Sequence, residues 1–177
     1  MIEEQMICDF STRCLQWQHI DDVVMGGVSA SLLRRDADGT ASFTGHLSLD
    51  NEGGFASVRT LLDDRQFDAF DGIRIRVKGD GNRYSFRIRN DDRFDGIVYK
   101  QDFYTLPDEW VVIDLPFHEF KPSFRGRIMQ DAPPLDPGNI IQIGFLISMK
   151  QEGPFCLQIE WIKAYKAVPG EGNGKPL

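Results

Sequence analysis

Between Ile73 and Arg89 the side chains alternate one residue at a time. Ile73, Ile75 and Val77 are interleaved with Arg74, Arg76 and Lys78, and Tyr84, Phe86 and Ile88 with Arg83, Ser85, Arg87 and Arg89. A period of two is the pattern of a strand with one buried face. The intervening Gly79-Asp80-Gly81-Asn82 is rich in turn formers, so the spacing predicts a hairpin in which Lys78 pairs with Arg83. In that register Val77 faces Tyr84, Ile75 faces Phe86 and Ile73 faces Ile88, which puts every apolar residue on one side. Arg74 then lies across from Arg87, and like charges so placed cost stability unless something neutralises them.

The same alternation recurs along the chain. Phe43, Gly45, Leu47 and Leu49 alternate with Ser42, Thr44, His46 and Ser48; Ile141, Ile143, Phe145, Ile147 and Met149 with Gln142, Gly144 and Ser148; and Phe155, Leu157, Ile159 and Trp161 with Gln158 and Glu160. Further strands are expected at Met6–Phe10, Val28–Leu33, Phe55–Leu61, Ile97–Tyr104 and Trp110–Leu115, the last stopped by Pro116. Trp17–Ser29 has neither period and reads as a loop, in which Asp21 and Asp22 lead to the hinge Gly26-Gly27. Asp63–Asp71 is read as a short helical turn and Gly126–Asn139 as a long loop. No amphipathic helix of more than two turns is apparent, so the fold class is all-β, a jelly-roll β-sandwich that buries its strands as two packed sheets.

A chain of 177 residues suffices for one domain that buries roughly 70% of its unfolded surface without disulfides. The expected domain is 1–167, with the Gly- and Pro-rich 168–177 as a flexible tail. Cys8, Cys14 and Cys156 are odd in number and lack Cys-x-x-Cys spacing, which fits reduced thiols. The acidic Met-Ile-Glu-Glu-Gln start resembles neither a signal peptide nor a transit segment, so a cytoplasmic location is expected. No apolar run approaches the ~20 residues of a bilayer span, and the formal charge of −7 argues against general attraction to nucleic acid or anionic lipid.

Catalytic patterns are absent from the sequence. It contains no nucleophile elbow, phosphate loop or dinucleotide fingerprint, and His19, His46 and His118 lack metal-ligand spacing. No catalytic residue, metal or cofactor is therefore assigned. The positive feature is the cationic face, with Arg74, Arg76, Arg83, Arg87 and Arg89, to which Arg59 could be added. These residues could pair with carboxylates such as Asp102 or Asp114 on neighbouring strands, or receive an anionic or hydroxyl-rich ligand through bidentate contacts. Tyr99 and Tyr104 would suit sugar stacking or a protein partner.

Trp17, followed by Asp21-Asp22-Val23-Val24-Met25-Gly26-Gly27-Val28-Ser29, then Phe43-Thr44-Gly45 and Gly53-Gly54-Phe55-Ala56-Ser57-Val58-Arg59, resembles the thirty-kilodalton complex I intermediate-associated protein family. Tyr84–Arg89, Leu115-Pro116-Phe117 with Phe120, Arg125-Gly126, Ile143-Gly144-Phe145 and Gly153-Pro154-Phe155 to Tyr165 extend the likeness, which runs from about Phe10 to Tyr165. It implies a galactose-binding-domain-like β-sandwich. It also implies a role like that of the family's mitochondrial member, which helps assemble respiratory NADH:ubiquinone oxidoreductase without being a subunit of the finished enzyme. A bacterial-type cytosolic homologue is the expectation here. Trp17, Asp21, Asp22, Met25, Gly26, Gly27, Ser29, Gly54, Phe55 and Arg59 match the family's signature by position. Taken together, the candidate binding residues are Trp17, Asp21, Asp22, Met25, Gly26, Gly27, Ser29, Phe55, Arg59, Arg74, Arg87, Arg89, Tyr99, Tyr104 and Arg125. The expected function is a non-catalytic domain holding a protein assembly intermediate of a membrane complex. The alternatives are a glycan- or small-anion-binding module on the same sandwich, and a hydrolase-like activity at Asp21 and Asp22.

Overall fold

Period-two segments with one apolar face can only bury that face against another such face, and that is how the chain is built. The computed structural model describes residues 2–10, 17–21, 30–36, 38–47, 54–63, 66–91, 96–124, 127–148, 151 and 153–167. Among the described residues thirteen strands run in order: β1 (Ile2–Asp9), β2 (Trp17–Asp21), β3 (Ala30–Arg35), β4 (Ala41–Leu47), β5 (Ala56–Leu61), β6 (Gly72–Lys78), β7 (Arg83–Arg89), β8 (Val98–Tyr104), β9 (Trp110–Pro116), β10 (Lys121–Phe124), β11 (Arg127–Ile128), β12 (Gln142–Ile147) and β13 (Gly153–Ala167). The helical elements among the described residues are two single 3-10 turns, Phe117–Glu119 and Pro137–Asn139. The first sheet has the order β3-β4-β13-β6-β9, with β1 also paired to β13; the second has the order β11-β10-β8-β7-β12-β5-β2. Between them lies a largely apolar layer in which Phe43, Ile73, Ile75, Tyr84, Phe86, Ile88, Ile143 and Phe145 are essentially fully buried.

The sides of β6 and β7 fall as the alternation predicts, but the predicted hairpin does not form. Strand β6 pairs with β13 and β9, whereas β7 pairs with β12 and β8. The apolar residues of the two strands therefore meet across the sandwich and not along a shared ladder. Asp80 carries the chain from one sheet to the other. Its carboxylate accepts hydrogen bonds from the Tyr84 hydroxyl at 3.0 Å, the Cys156 backbone N–H at 2.8 Å, the Asn82 N–H at 3.1 Å and Asn82 Nδ2 at 3.0 Å. Gly81 takes φ of +93° beside it, a conformation that glycine adopts at no steric cost.

Three other expectations are corrected. Trp17–Asp21 is not loop but an edge strand, β2, antiparallel to β5 with Trp17 opposite Thr60 and Asp21 opposite Ala56. In β13 the register shifts between Ile159 and Trp161. One extra residue reverses the parity of everything after it, so Ile162 and Ala164 enter the core while the Trp161 ring lies 4.1 Å from the Lys163 ammonium. The Asp63–Asp71 segment forms turns, without a helix, among its described residues.

The outer face of the first sheet is an ion-pair network. The Arg74 guanidinium donates to Asp114 through Nε (2.5 Å) and Nη2 (2.8 Å) and to Glu4 through Nη1 (2.8 Å), and lies 4.6 Å from the Tyr165 ring centre. Lys163 adds a 3.1 Å bond to Glu4, and Arg76 pairs with Glu160 at 2.7 Å. Burial alone would raise the Glu4 pKa, but the hydrogen bonds from Arg74 and Lys163 outweigh it and hold the group below its ordinary 4.5. A carboxylate with a depressed folded pKa contributes stability above its unfolded value and loses it as pH falls through the folded one. In urea titrations Glu4→Gln is expected to cost about 0.5–1 kcal/mol at neutral pH, after solvent screening, and nothing at pH below both values. A difference that persists in acid would show that the charge is not the cause.

Candidate functional site

The outer face of the second sheet differs from that of the first. The register places Arg87 of β7 opposite Gly144 of β12 on one side and Lys100 of β8 on the other, with Arg59 of β5 beyond Gly144. Lys121 of β10 lies next to Lys100, and Gln18 of β2 next to Arg59. A single row thus crosses six strands as Lys121, Lys100, Arg87, Gly144, Arg59, Gln18. Arg87 stands on the middle strand of the seven. Strands are spaced about 4.8 Å apart, so Arg59 and Arg87 flank Gly144 at roughly 10 Å.

Gly144 is glycine because β5 comes close at that point. An added Cβ would run into the Val58 carbonyl oxygen and sit 3.0 Å from the Arg59 Cβ. The row therefore has a low centre between two long cationic side chains. A second row beside it runs Asp102, Ser85, Leu146, Ser57, and Ser85, Ser57 and Gln142 are buried although they sit on the sheet's outer side.

Electrostatically, Arg87 stands apart from the paired cations. Lys100 pairs with Asp102 at 3.3 Å. Arg83 bonds the exposed Tyr104 hydroxyl at 3.1 Å and lies 5.6 Å from its ring centre. Arg89 donates to the Gly96 carbonyl at 3.4 Å. The Arg87 Nε, by contrast, is buried with no hydrogen-bond partner, as is the Ser85 hydroxyl. Loss of solvation, and then the fields of Arg89 and Arg59, pull the Arg87 pKa down to about 10, against a weaker opposing pull from Asp102. Burial likewise lowers the Arg59 pKa.

The candidate residues separate accordingly. Arg59, Arg87, Arg89 and Tyr104 share the outer face of the second sheet. Arg74 is on the opposite surface of the molecule, so it neither faces Arg87 nor joins that row. Tyr99 points inward, is 4% exposed and donates its hydroxyl to the Pro133 carbonyl at 2.8 Å, so its ring is unavailable for stacking on a surface ligand. Trp17 is half-buried and packs against the core on Phe10 and Phe145, with ring centres 6.2 and 6.3 Å away. Phe55 is half-buried just before β5. Asp22, Met25, Gly26, Gly27, Ser29 and Arg125 lie outside the described residues, and the description of Asp21 extends to its place in β2. Gly144, Ser85, Lys100 and Lys121 were not among the candidates. The alternation of their strands assigns Ser85 and Gly144 to the outer side, but only the strand order brings these two, with Lys100 and Lys121, beside Arg87.

A family model described as complex I intermediate-associated protein 30 matches residues 8–159. The chain belongs to this family. An uncharacterized protein of Schizosaccharomyces pombe is 35% identical over 173 residues, covering 85% of this chain and 78% of that protein. The mitochondrial complex I intermediate-associated protein 30 of Mus musculus is 33% identical over 54% of this chain, and that of Drosophila melanogaster 24% identical over 90%. The chain spans 30% of the mouse protein's length and 62% of the fly protein's.

The architecture of this family member is that of carbohydrate-binding modules. A family 11 module from Clostridium thermocellum, in complex with a β-1,3-1,4-mixed-linked tetrasaccharide, superimposes with a TM-score of 0.71 at 22% identity, covering 93% of this chain and 96% of that one. A family 29 module gives a TM-score of 0.56 at 11% identity, over 94% and 87%. These likenesses establish the galactose-binding-like β-sandwich expected from the sequence, and at such identities they show fold alone.

Proposed function

We propose that this chain is a non-catalytic binding domain that holds a protein assembly intermediate of a respiratory membrane complex, docked on the outer face of the second sheet. Family membership supports the class of function, and the names of the mouse and fly relatives support the complex. The observation that carries the choice of face is Arg87, half-buried on the middle strand of a cationic row, whose buried Nε has no hydrogen-bond partner. A solvated ion network would look like the first sheet, where Arg74, Arg76 and Lys163 are each matched to carboxylates. Buried cations left unmatched are costly, and a partner that supplies the counter-charge on docking offsets that cost.

The test is affinity capture from the native host with the full chain, followed by mass spectrometry of what stays bound. Subunits of a membrane complex are expected. The doubly reversed variant Arg87→Glu, Arg89→Glu, checked for folding by circular dichroism, is expected to bind at least about thirtyfold more weakly. Capture unchanged by that reversal would remove the face from consideration.

Tyr104, 70% exposed beside Arg83 on the same face, favours the glycan-binding alternative, which a glycan array without hits would count against. A hydrolase-like role for Asp21 and Asp22 is tested by the folded Asp21→Ala, Asp22→Ala variant, in which undiminished function would exclude it. Cytoplasmic location belongs to the proposal too and is tested by fractionation, since the two animal relatives are mitochondrial by name. Among the described residues no helix is long and apolar enough to cross a membrane.

A further inference from the structure

We infer that the centre of the second sheet's outer face is an oxyanion site, in which Arg87, with Arg59 across Gly144 and Arg89 two residues along, takes a phosphate-type group. The inference deepens the docking-face reading and rests on it, by naming the chemistry that the middle of the face receives.

Three observations converge on it. The first is the contrast among cations. Arg74, Arg76, Lys100 and Lys163 reach carboxylates at hydrogen-bonding or ion-pair distance, whereas the buried Arg87 Nε reaches nothing. Asp102 is close enough for its field to act on Arg87 but is paired with Lys100 at 3.3 Å. A guanidinium whose buried Nε is left unmatched is arranged for an acceptor that comes from outside the fold.

The second is Ser85, two residues before Arg87 on the same side of β7, whose buried hydroxyl also has no partner. Successive residues on one face of a strand are roughly 6.6 Å apart. The hydroxyl and the guanidinium can therefore address one polyatomic ion between them. Native folds match the large majority of their buried polar groups, and here two unmatched ones lie on the same face of one strand.

The third is the floor. With glycine at 144, no side chain stands between Arg59 and Arg87, and their separation of roughly two strand spacings is right for bracketing a single tetrahedral group. The fields of Arg59 and Arg89 already act on Arg87. Mutual repulsion among the three is relieved more by a dianion than by a monoanion, so phosphate should bind better than acetate. The group could be free in solution or carried on the partner polypeptide.

Isothermal titration calorimetry on the full chain at constant ionic strength, with inorganic phosphate and then acetate as probes, tests this. Saturable phosphate binding, tighter than acetate binding, is expected. Arg87→Met should weaken it about tenfold or more, and Arg74→Met on the opposite surface should leave it unchanged. Should Arg87→Met fail to fold, Arg87→Lys keeps the charge without the planar fork and should also weaken binding about tenfold. No phosphate binding by the folded wild type, or binding unaffected by the Arg87 variants, overturns the inference.

Partner capture with and without phosphate distinguishes the two sources. Competition means that the partner carries the group, and phosphate binding without competition means that the ligand is free in solution. Capture that survives with no phosphate binding sinks the oxyanion site alone. Phosphate binding with no capture sinks the docking reading and leaves the site standing.

Discussion

Asp80→Ala is expected to lower the unfolding free energy by about 3 kcal/mol, from the loss of charge-assisted bonds to the buried Tyr84 hydroxyl and to the partly buried Cys156 and Asn82 N–H groups. The carboxylate joins two strands of different sheets through Tyr84 and Cys156. Tyr84 is 1% exposed, and its phenol is pushed far above its ordinary pKa by burial first and by Asp80 second. Truncation leaves that hydroxyl and the Cys156 N–H without an acceptor, and buried donors so stranded cost about 1–3 kcal/mol each. Against a typical total of about 5–15 kcal/mol, the change should move the urea midpoint substantially without altering the slope. Asp80→Asn, which retains an acceptor oxygen, should lie between the two. If Asp80→Ala shifts stability by less than about 1 kcal/mol, Asp80 does not join the sheets in the way its hydrogen bonds indicate.

Gly144→Ala should cost about 2–3 kcal/mol by overpacking, although alanine is as small as a side chain can be. The added methyl meets the Val58 carbonyl and the Arg59 backbone, and β12 is hydrogen-bonded on both sides, to β5 and to β7. Neither neighbour can yield without lengthening ladder bonds in the middle of the sheet. The substitution also raises the floor between Arg59 and Arg87, so the proposed phosphate site should weaken even in the fraction that folds. Chemical denaturation with calorimetry on the same sample reads both effects. A Gly144→Ala protein as stable as wild type would mean that the two strands separate there at little cost.

Much of the fold was legible because strand parity is local. A side chain in an extended segment faces the same way as the one two residues on, whatever its neighbours are. Ile73, Ile75, Val77, Tyr84, Phe86 and Ile88 could therefore be assigned to the core before their pairing was known. The same reasoning put Arg87 and Gly144 outside. It failed at Trp161, where a bulge adds a residue and reverses the count, and at Trp17–Asp21, where a short edge strand carries no alternation to read. Tyr99 was misassigned as surface because an aromatic with a polar tip suits either environment. Its hydroxyl finds the Pro133 carbonyl, which lies 34 residues away and leaves no mark on the local sequence.

Pairing is a property of the whole chain. The Gly79–Asn82 segment is as suitable for a hairpin as for a crossover, and the choice fell to the crossover, where Asp80 finds the Cys156 N–H and the Tyr84 hydroxyl. Arg74 and Arg87 were thereby sent to opposite surfaces, one matched by Glu4 and Asp114 and the other set beside Gly144 with its Nε unmatched. The sequence by itself determined that this protein is built of strands and which side chains of most of them are buried, because those follow from a two-residue period and the exclusion of apolar groups from water. Only the tertiary structure decided which cations are matched by carboxylates and that the Arg87 Nε is left unmatched, because that depends on which strands become neighbours, and hydrogen bonds between residues far apart in the chain make that choice.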